Sequence, residues 1–311
     1  MIPANETFNG TYPFAPHFFK GRGFNMHYVD EGQGETIVCL HGQPTWSYLY
    51  RNFIPALSEN YRVIAPDQKG YGKSETPQGV EYSFKDHVEN LAALIDHLGL
   101  EDITFVIQDW GGPIAGAYAL RHPDKVKRFC LMNTMLGYGS AVRDIPPSEG
   151  IPKLTDSSWF QWVLKSHENG TYRATMSRLG EQVLSNMKKL YFHNSAAVTP
   201  EWLEAYSKPF ETPEETIAAV EFPLDAALGR IRNYIVEGIK TGNLEKLRSK
   251  PAMLAEGLLD RAMPPALVMD DFKRLFPNGP IVPIANAGHF CQEDAPETLV
   301  ALIRMFIQMT P

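Results

Sequence analysis

Short, largely apolar runs alternate with longer amphipathic stretches along most of this chain, and that alternation limits the folds open to it. Thr36–Leu40, Arg62–Pro66, Ile103–Ile107 and Arg128–Met132 are too short for helices and too apolar for surface loops, so they read as buried strands. Between them, Phe84–Leu98 and Gly112–His122 carry apolar residues at helical spacing; in the first, Val88, Leu91, Leu94, Ile95 and Leu98 form one stripe. Buried strands linked by helices predict a mostly parallel sheet with helices on both faces. The pattern resumes with Ala252–Ala255 and Ile281–Ile284 as strands and Pro265–Leu275 and Pro296–Met309 as helices. From about Gly137 to Leu228 strand signals fade, helical stretches dominate, and prolines recur at 146, 147, 152, 200, 209, 213 and 223. The expected organisation is therefore a sheet domain built from 1–136 and 229–311, with a helical insertion over 137–228.

A chain of 311 residues can bury about 75% of the surface its unfolded form exposes, so it needs no covalent staples. The formal net charge of -7 argues against nucleic acid or an anionic membrane as the main partner. Cys39, Cys130 and Cys291 are odd in number, widely spaced and without a CxxC pair, which disfavours both a disulfide framework and a zinc cluster. Cys39 and Cys130 lie inside apolar runs and read as small buried hydrophobes. The N-terminus has no basic and apolar leader, and no run approaches the ~18 apolar residues of a membrane helix, so the expected location is the cytoplasm.

Val106-Ile107-Gln108-Asp109-Trp110-Gly111-Gly112 joins a strand to a helix in the manner of a nucleophile elbow, which exposes its middle side chain at the top of the sheet. Here that residue is Asp109, and no GxSxG occurs in the chain. Aspartate also suits a helix N-cap, and the elbow alone leaves both roles open. His41-Gly42-Gln43-Pro44 follows the Thr36–Leu40 strand and reads either as an ordinary turn or as one side of an oxyanion hole, with the Gln43 and Trp110 amides as donors. His289 falls on a loop after the last strand, and Asp260 after the strand before it. The order Asp109, Asp260, His289 is nucleophile, acid, base.

A carboxylate is ionised at neutral pH and attacks without the help of a base. On an sp3 carbon bearing a leaving group it forms a stable alkyl ester; on a carboxylic ester or amide it would form a reactive anhydride. An aspartate nucleophile therefore points to alkyl substitution.

The segments HGQPTWSYLYR (41–51), APDQKGYGKSETP (65–77), VIQDWGGPIAG (106–116), LMNTML (131–136) and NAGHFCQED (286–294) resemble those of the haloalkane dehalogenases. The resemblance implies an α/β-hydrolase fold with a helical cap inserted after the sixth strand. It implies Asp109 as nucleophile, His289 as base and Trp110 as one halide donor. Members of that family carry the acid after one of two neighbouring strands; here the first position holds Asn133, which cannot serve, and the second holds Asp260. Gln43 stands where many members have a halide-binding asparagine, and another branch draws its second donor from a cap tryptophan. Gln43 is the expected second donor, with Trp159 and Trp162 as alternatives. The resemblance implies no metal or organic cofactor, and partners limited to a small hydrophobic halogenated substrate, water and halide ion. An epoxide hydrolase would use the same nucleophile with cap tyrosines as acid, from among Tyr138, Tyr172, Tyr191 and Tyr206. A non-catalytic binder of small hydrophobes would be expected to have lost one or more of the three catalytic residues.

Overall fold

The computed structural model describes residues 1–139 and 147–311, so Pro146 and the rest of 140–146, within the 137–228 insertion, lie outside the described residues. One sheet of eight strands organises it: β1 His17–Gly21, β2 Phe24–Glu31, β3 Thr36–Leu40, β4 Arg62–Pro66, β5 Ile103–Gln108, β6 Val126–Met132, β7 Ala252–Gly257 and β8 Ile281–Ile284. Their order is β1-β2-β4-β3-β5-β6-β7-β8. β1 and β2 pair antiparallel, as do β2 and β4; every pair from β4 onward is parallel. The six expected strands are present, with β5 and β7 buried along their whole length as the apolar runs require.

β1 and β2 extend the expected sheet. Their signal is alternation: Phe24, Met26 and Tyr28 are buried, separated by Asn25 and His27, and Arg22–Gly23 makes the turn between the strands.

The helices Phe84–Leu98, Pro265–Leu275 and Pro296–Met309 match the expected bounds, and the helix after β5 runs Gly111–Arg121, one position earlier than expected at each end. The first begins at Ser83, whose hydroxyl accepts the Asp86 amide, and ends at Gly99 in the left-handed region. Its buried face includes Phe84, Val88, Leu91, Leu94 and Ile95, each such side chain contributing about 1.5–3 kcal/mol of burial.

Between β6 and β7 the described chain is helical: Ser158–Glu168, Tyr172–Met176, Leu179–Leu190, Pro200–Ser207, Ile217–Ala227 and Arg232–Ile239 are its main helices. Pro200 opens its helix at a position where no amide donor is needed, whereas Pro223 interrupts one from within. The Arg232–Ile239 helix lies against Gly111–Arg121, where Arg121 donates to the Tyr234 carbonyl at 2.8 Å.

The preceding helices cover the C-terminal ends of the strands and join them along a seam of backbone bonds. The Tyr191 carbonyl accepts the His289 amide at 2.8 Å, and the Leu190 carbonyl accepts the Arg261 amide at 3.1 Å. The Asp294 carboxylate accepts the amides of His193 and Asn194, each at 2.7 Å, and that of Gly288 at 2.8 Å. Tyr191 reaches this seam with φ +81°, a left-handed conformation that costs a non-glycine residue energy. Among the described residues no helix is long and apolar enough to cross a membrane.

Candidate active site

In open α/β sheets ligands bind beyond the C-terminal ends of the strands, and the residues singled out above converge there. Asp109 directly follows β5 with φ +48°, the strained geometry of an elbow. The N-cap reading is set aside by the hydrogen bonding: the cap position of the next helix is Trp110 and receives no side-chain bond, while Asp109 Oδ1 accepts the Gln43 amide at 2.6 Å. Two glycines make room for this turn. A Cβ on Gly42 would lie 2.1 Å from Asp109 Oδ1, and one on Gly112 would lie 2.1 Å from Thr134 Oγ1. Thr134, just beyond β6, in turn donates to the Asp109 carbonyl at 2.6 Å.

His289 is fully buried, with Nε2 3.4 Å from Asp109 Oδ2 and Nδ1 2.9 Å from Asp260 Oδ2. The other Asp260 oxygen accepts the amides of Ala262 and Met263 at 2.6 and 3.0 Å, which fixes the carboxylate. Asp109 thus offers one oxygen to a backbone amide and the other to an imidazole, and the imidazole is backed by a second carboxylate.

Burial pulls the His289 imidazole down, but the charges and hydrogen bonds of Asp260 and Asp109 outweigh it and push the group up to about 10. Because this folded-state value lies above the ordinary 6.5, the stability it contributes is fully present below about pH 6.5 and is lost as the pH rises through about 10. It also makes the imidazole sensitive to the state of Asp109. Asp109→Ala is expected to lower the His289 pKa by about 1–3 units, the usual effect of losing an adjacent opposite charge. A pH titration of the imidazole by NMR measures this, and an unchanged midpoint would show that the Asp109 charge does not govern the base.

Three neighbours carry weight that the sequence did not assign to them. Asn133, with φ +44° at the end of β6, donates to Asp260 Oδ2 at 3.0 Å and accepts the Gly257 amide at 2.9 Å. It braces the Asp260 carboxylate from the end of the neighbouring strand. Gln108 donates to the His289 carbonyl at 3.0 Å. Glu256, at the end of β7, is fully buried; burial and the nearby Asp260 charge push its carboxyl well above the usual carboxylate range. Asp260 is the carboxylate that faces Nδ1. A glutamate closing an apolar strand was the available sequence signal.

A cavity of about 470 Å³ opens over Asp109. Trp110, Gln43, His289, Trp159, Phe160 and Leu190 are among its lining residues. Trp162 is not among them; it packs on Trp159 at 5.1 Å between ring centroids, under the Lys189 ammonium. The Gln43 Nε2 atom is buried with no hydrogen-bond partner among the described residues, while its Oε1 accepts from Tyr71 at 2.7 Å. None of Tyr138, Tyr172, Tyr191 and Tyr206 lines the cavity. Three of their hydroxyls are engaged elsewhere, with Gly116 O at 2.7 Å, Val220 O at 3.1 Å and Glu293 at 2.5 Å.

Residues 35–296 match the family described as alpha/beta hydrolase fold, the class that this sheet and elbow define. Haloalkane dehalogenase 2 of Mycobacterium bovis is 33% identical over 94% of this chain and 94% of its own length. The crystal structure of a haloalkane dehalogenase from Bradyrhizobium elkani superposes with a TM-score of 0.79 at 25% identity, covering 96% of this chain and 98% of that one. The chain belongs to the haloalkane dehalogenase family of α/β-hydrolases. A cis-3-alkyl-4-alkyloxetan-2-one decarboxylase of Shewanella oneidensis is also similar, 30% identical over 96% of this chain and 90% of its own length.

Proposed function

We propose that this protein is a haloalkane dehalogenase, with residues 137–228 as the cap that encloses its substrate. The observation that carries the reading is the Asp109 carboxylate, held by the Gln43 amide on Oδ1 and by His289 on Oδ2, at the floor of a largely apolar cavity.

Asp109 Oδ2 attacks the carbon bearing the halogen, the carbon–halogen bond breaks, and an alkyl ester forms on Asp109 as halide departs. The Trp110 indole N–H and the Gln43 side-chain amide receive the anion; a hydrogen bond to a charged group is worth about 1.5–3 kcal/mol. Gln43 is favoured over Trp159 because its own backbone amide bonds Asp109 at 2.6 Å, which seats the residue beside the nucleophile, and over Trp162 because that ring does not line the cavity. Ester formation removes the Asp109 charge, and with it one of the influences that keep His289 protonated. The neutral imidazole takes a proton from water, and the hydroxide attacks the ester carbonyl carbon. The Gln43 and Trp110 amides stabilise the developing oxyanion, and Asp260 stabilises the imidazolium. The adduct collapses by breaking its bond to the alkoxy oxygen, which leaves as the alcohol with a proton, and a further proton passes to solvent as the Asp109 carboxylate is regenerated.

The decarboxylase relative supports a second reading. An oxetan-2-one carries an sp3 carbon whose leaving group is the ring's own carboxylate. Attack by Asp109 there would open the ring to the same kind of alkyl ester, with a carboxylate in place of halide. Loss of carbon dioxide with departure of the Asp109 carboxylate would then give an alkene without hydrolysis. An epoxide hydrolase is less well supported, because none of the four cap tyrosines lines the cavity.

The test is a panel of chloro-, bromo- and iodoalkanes run beside epoxides and cis-dialkyl oxetan-2-ones. Halide and alcohol in equal amounts are the expected products. Carbon dioxide and alkene from the lactones, with no halide from any haloalkane, would replace this proposal with the second reading.

A further inference from the structure

Glutamine is a poor anion donor unless its amide is oriented. The side chain is long, costs rotamer entropy to fix, and presents a carbonyl as readily as an N–H. In this protein something must choose between the two ends.

Tyr71 lies on the chain segment after β4, and its hydroxyl donates to Gln43 Oε1 at 2.7 Å. The opposite end of the same amide, Nε2, is buried and has no acceptor among the described residues, although Gln43 lines the cavity. The phenol is fully buried, and its ring is fixed on several sides. It stacks on Phe222 at 5.5 Å with 22° between planes, and meets His41 and Phe210 edge-on at 5.4 and 5.9 Å. Phe222 also stacks on Trp110, at 4.5 Å and 14°. One aromatic group therefore supports both anion donors, with Phe222 of the Ile217–Ala227 helix touching the indole and the phenol alike. Burial, followed by the Asp109 charge, pushes the Tyr71 hydroxyl well above its ordinary range, so it stays a donor.

We propose that Tyr71 is a positioning residue for the leaving-anion site: its hydroxyl holds the Gln43 carbonyl away from the anion and leaves the Gln43 N–H to face it beside Trp110. This rests on the dehalogenase reading above. Without the hydroxyl, Gln43 would lose its fixed orientation and could turn its carbonyl toward the anion, which repels it.

The test is a double-mutant cycle on bromide binding, followed by saturable quenching of tryptophan fluorescence in the full-length protein. Bromide needs no turnover to bind, so the assay is independent of substrate. Tyr71→Phe keeps the ring and its stacking and is expected to weaken bromide binding by about 5–20-fold. Gln43→Ala is expected to weaken it at least as much. In the Gln43→Ala background, Tyr71→Phe should change the affinity by less than about twofold, because the amide it orients is gone. Gln43→Asn shortens the amide beyond reach of the hydroxyl and should likewise remove the dependence on Tyr71. A purely packing role for Tyr71 predicts that Tyr71→Phe, which keeps the ring, binds bromide like the wild type; that result, or an equal weakening with and without the Gln43 amide, would overturn the assignment. Failure of the parent reading looks different. No halide from any haloalkane, with bromide still bound in a Tyr71-dependent way, would remove the dehalogenase function and leave the anion site standing. Absence of saturable bromide binding in the wild-type protein would overturn both.

Discussion

Asp109→Ala is expected to reduce turnover by about 10³-fold or more while leaving the protein folded, because it removes the carboxylate proposed to form the alkyl ester. The structural cost is small. The Asp109 side chain is partly exposed, and the substitution removes one hydrogen bond from the Gln43 amide and one contact to His289. Alanine at φ +48° keeps a left-handed backbone that already costs aspartate energy, so the added strain is at most about 1–2 kcal/mol, against the ~5–15 kcal/mol that stabilises a typical domain. Steady-state product release measured beside a thermal unfolding curve separates the two effects. An activity of more than a few per cent in a folded variant would remove Asp109 from the nucleophile position. Asp109→Asn is a weaker test, since an amide at this position can hydrolyse back to the acid.

His289→Phe should divide the reaction at its midpoint. In the proposed mechanism displacement needs the Asp109 carboxylate and the anion donors, whereas hydrolysis needs a base. The variant is therefore expected to release one equivalent of halide and stop, with the alkyl group retained on Asp109. Intact-protein mass spectrometry would find the protein heavier by the alkyl group, and peptide mapping would place the increment on the segment containing Asp109. The multiple-turnover rate should fall by about 10³-fold or more. No burst and no adduct, from a variant that still binds bromide, would mean that His289 takes part before the ester forms. Under the lactone reading no water step exists, so a variant that still turned over oxetan-2-ones at speed would favour the decarboxylase relative.

Much of this fold was legible because parallel strands buried on both faces are written as continuous apolar runs. β3 to β8 follow from that rule, and the helices Phe84–Leu98 and Pro265–Leu275 from apolar residues at helical spacing. β1 and β2 were less visible because they form the antiparallel edge of the sheet. β1 alternates between half-buried and exposed residues, and His27 sits within β2, fully buried and paired with Asp67 at 2.8 Å. The residues around Asp109 were readable because each stands on a short, distinctive turn after a strand. Tyr71, Glu256 and Phe222 were not, because their importance lies in a partner distant in sequence. A tyrosine in a loop announces nothing until its hydroxyl is found 2.7 Å from Gln43. The two cap tryptophans show the same limit: their spacing could not say that Trp159 would line the cavity and Trp162 would lie behind it.

The seam at residues 190–194 constrains how small molecules come and go. Leu190 and Tyr191 are bonded through their carbonyls to the loops that carry Asp260 and His289, and the amides of His193 and Asn194 share the Asp294 carboxylate with Gly288. Peeling the helices away along this margin would drag the imidazole off its acid, so a gate on this side would disarm the enzyme each time it opened. At the far margin the helices Ser158–Glu168 and Ile217–Ala227 have no such ties to the His289 loop among the described residues. Exit rate and substrate range should accordingly be tunable by changes near Phe160 and Pro223, while the 190–194 margin tolerates little. A graft of helices from a relative would have to bring its own carbonyls to meet His289 and Arg261, or arrive with the base already misaligned.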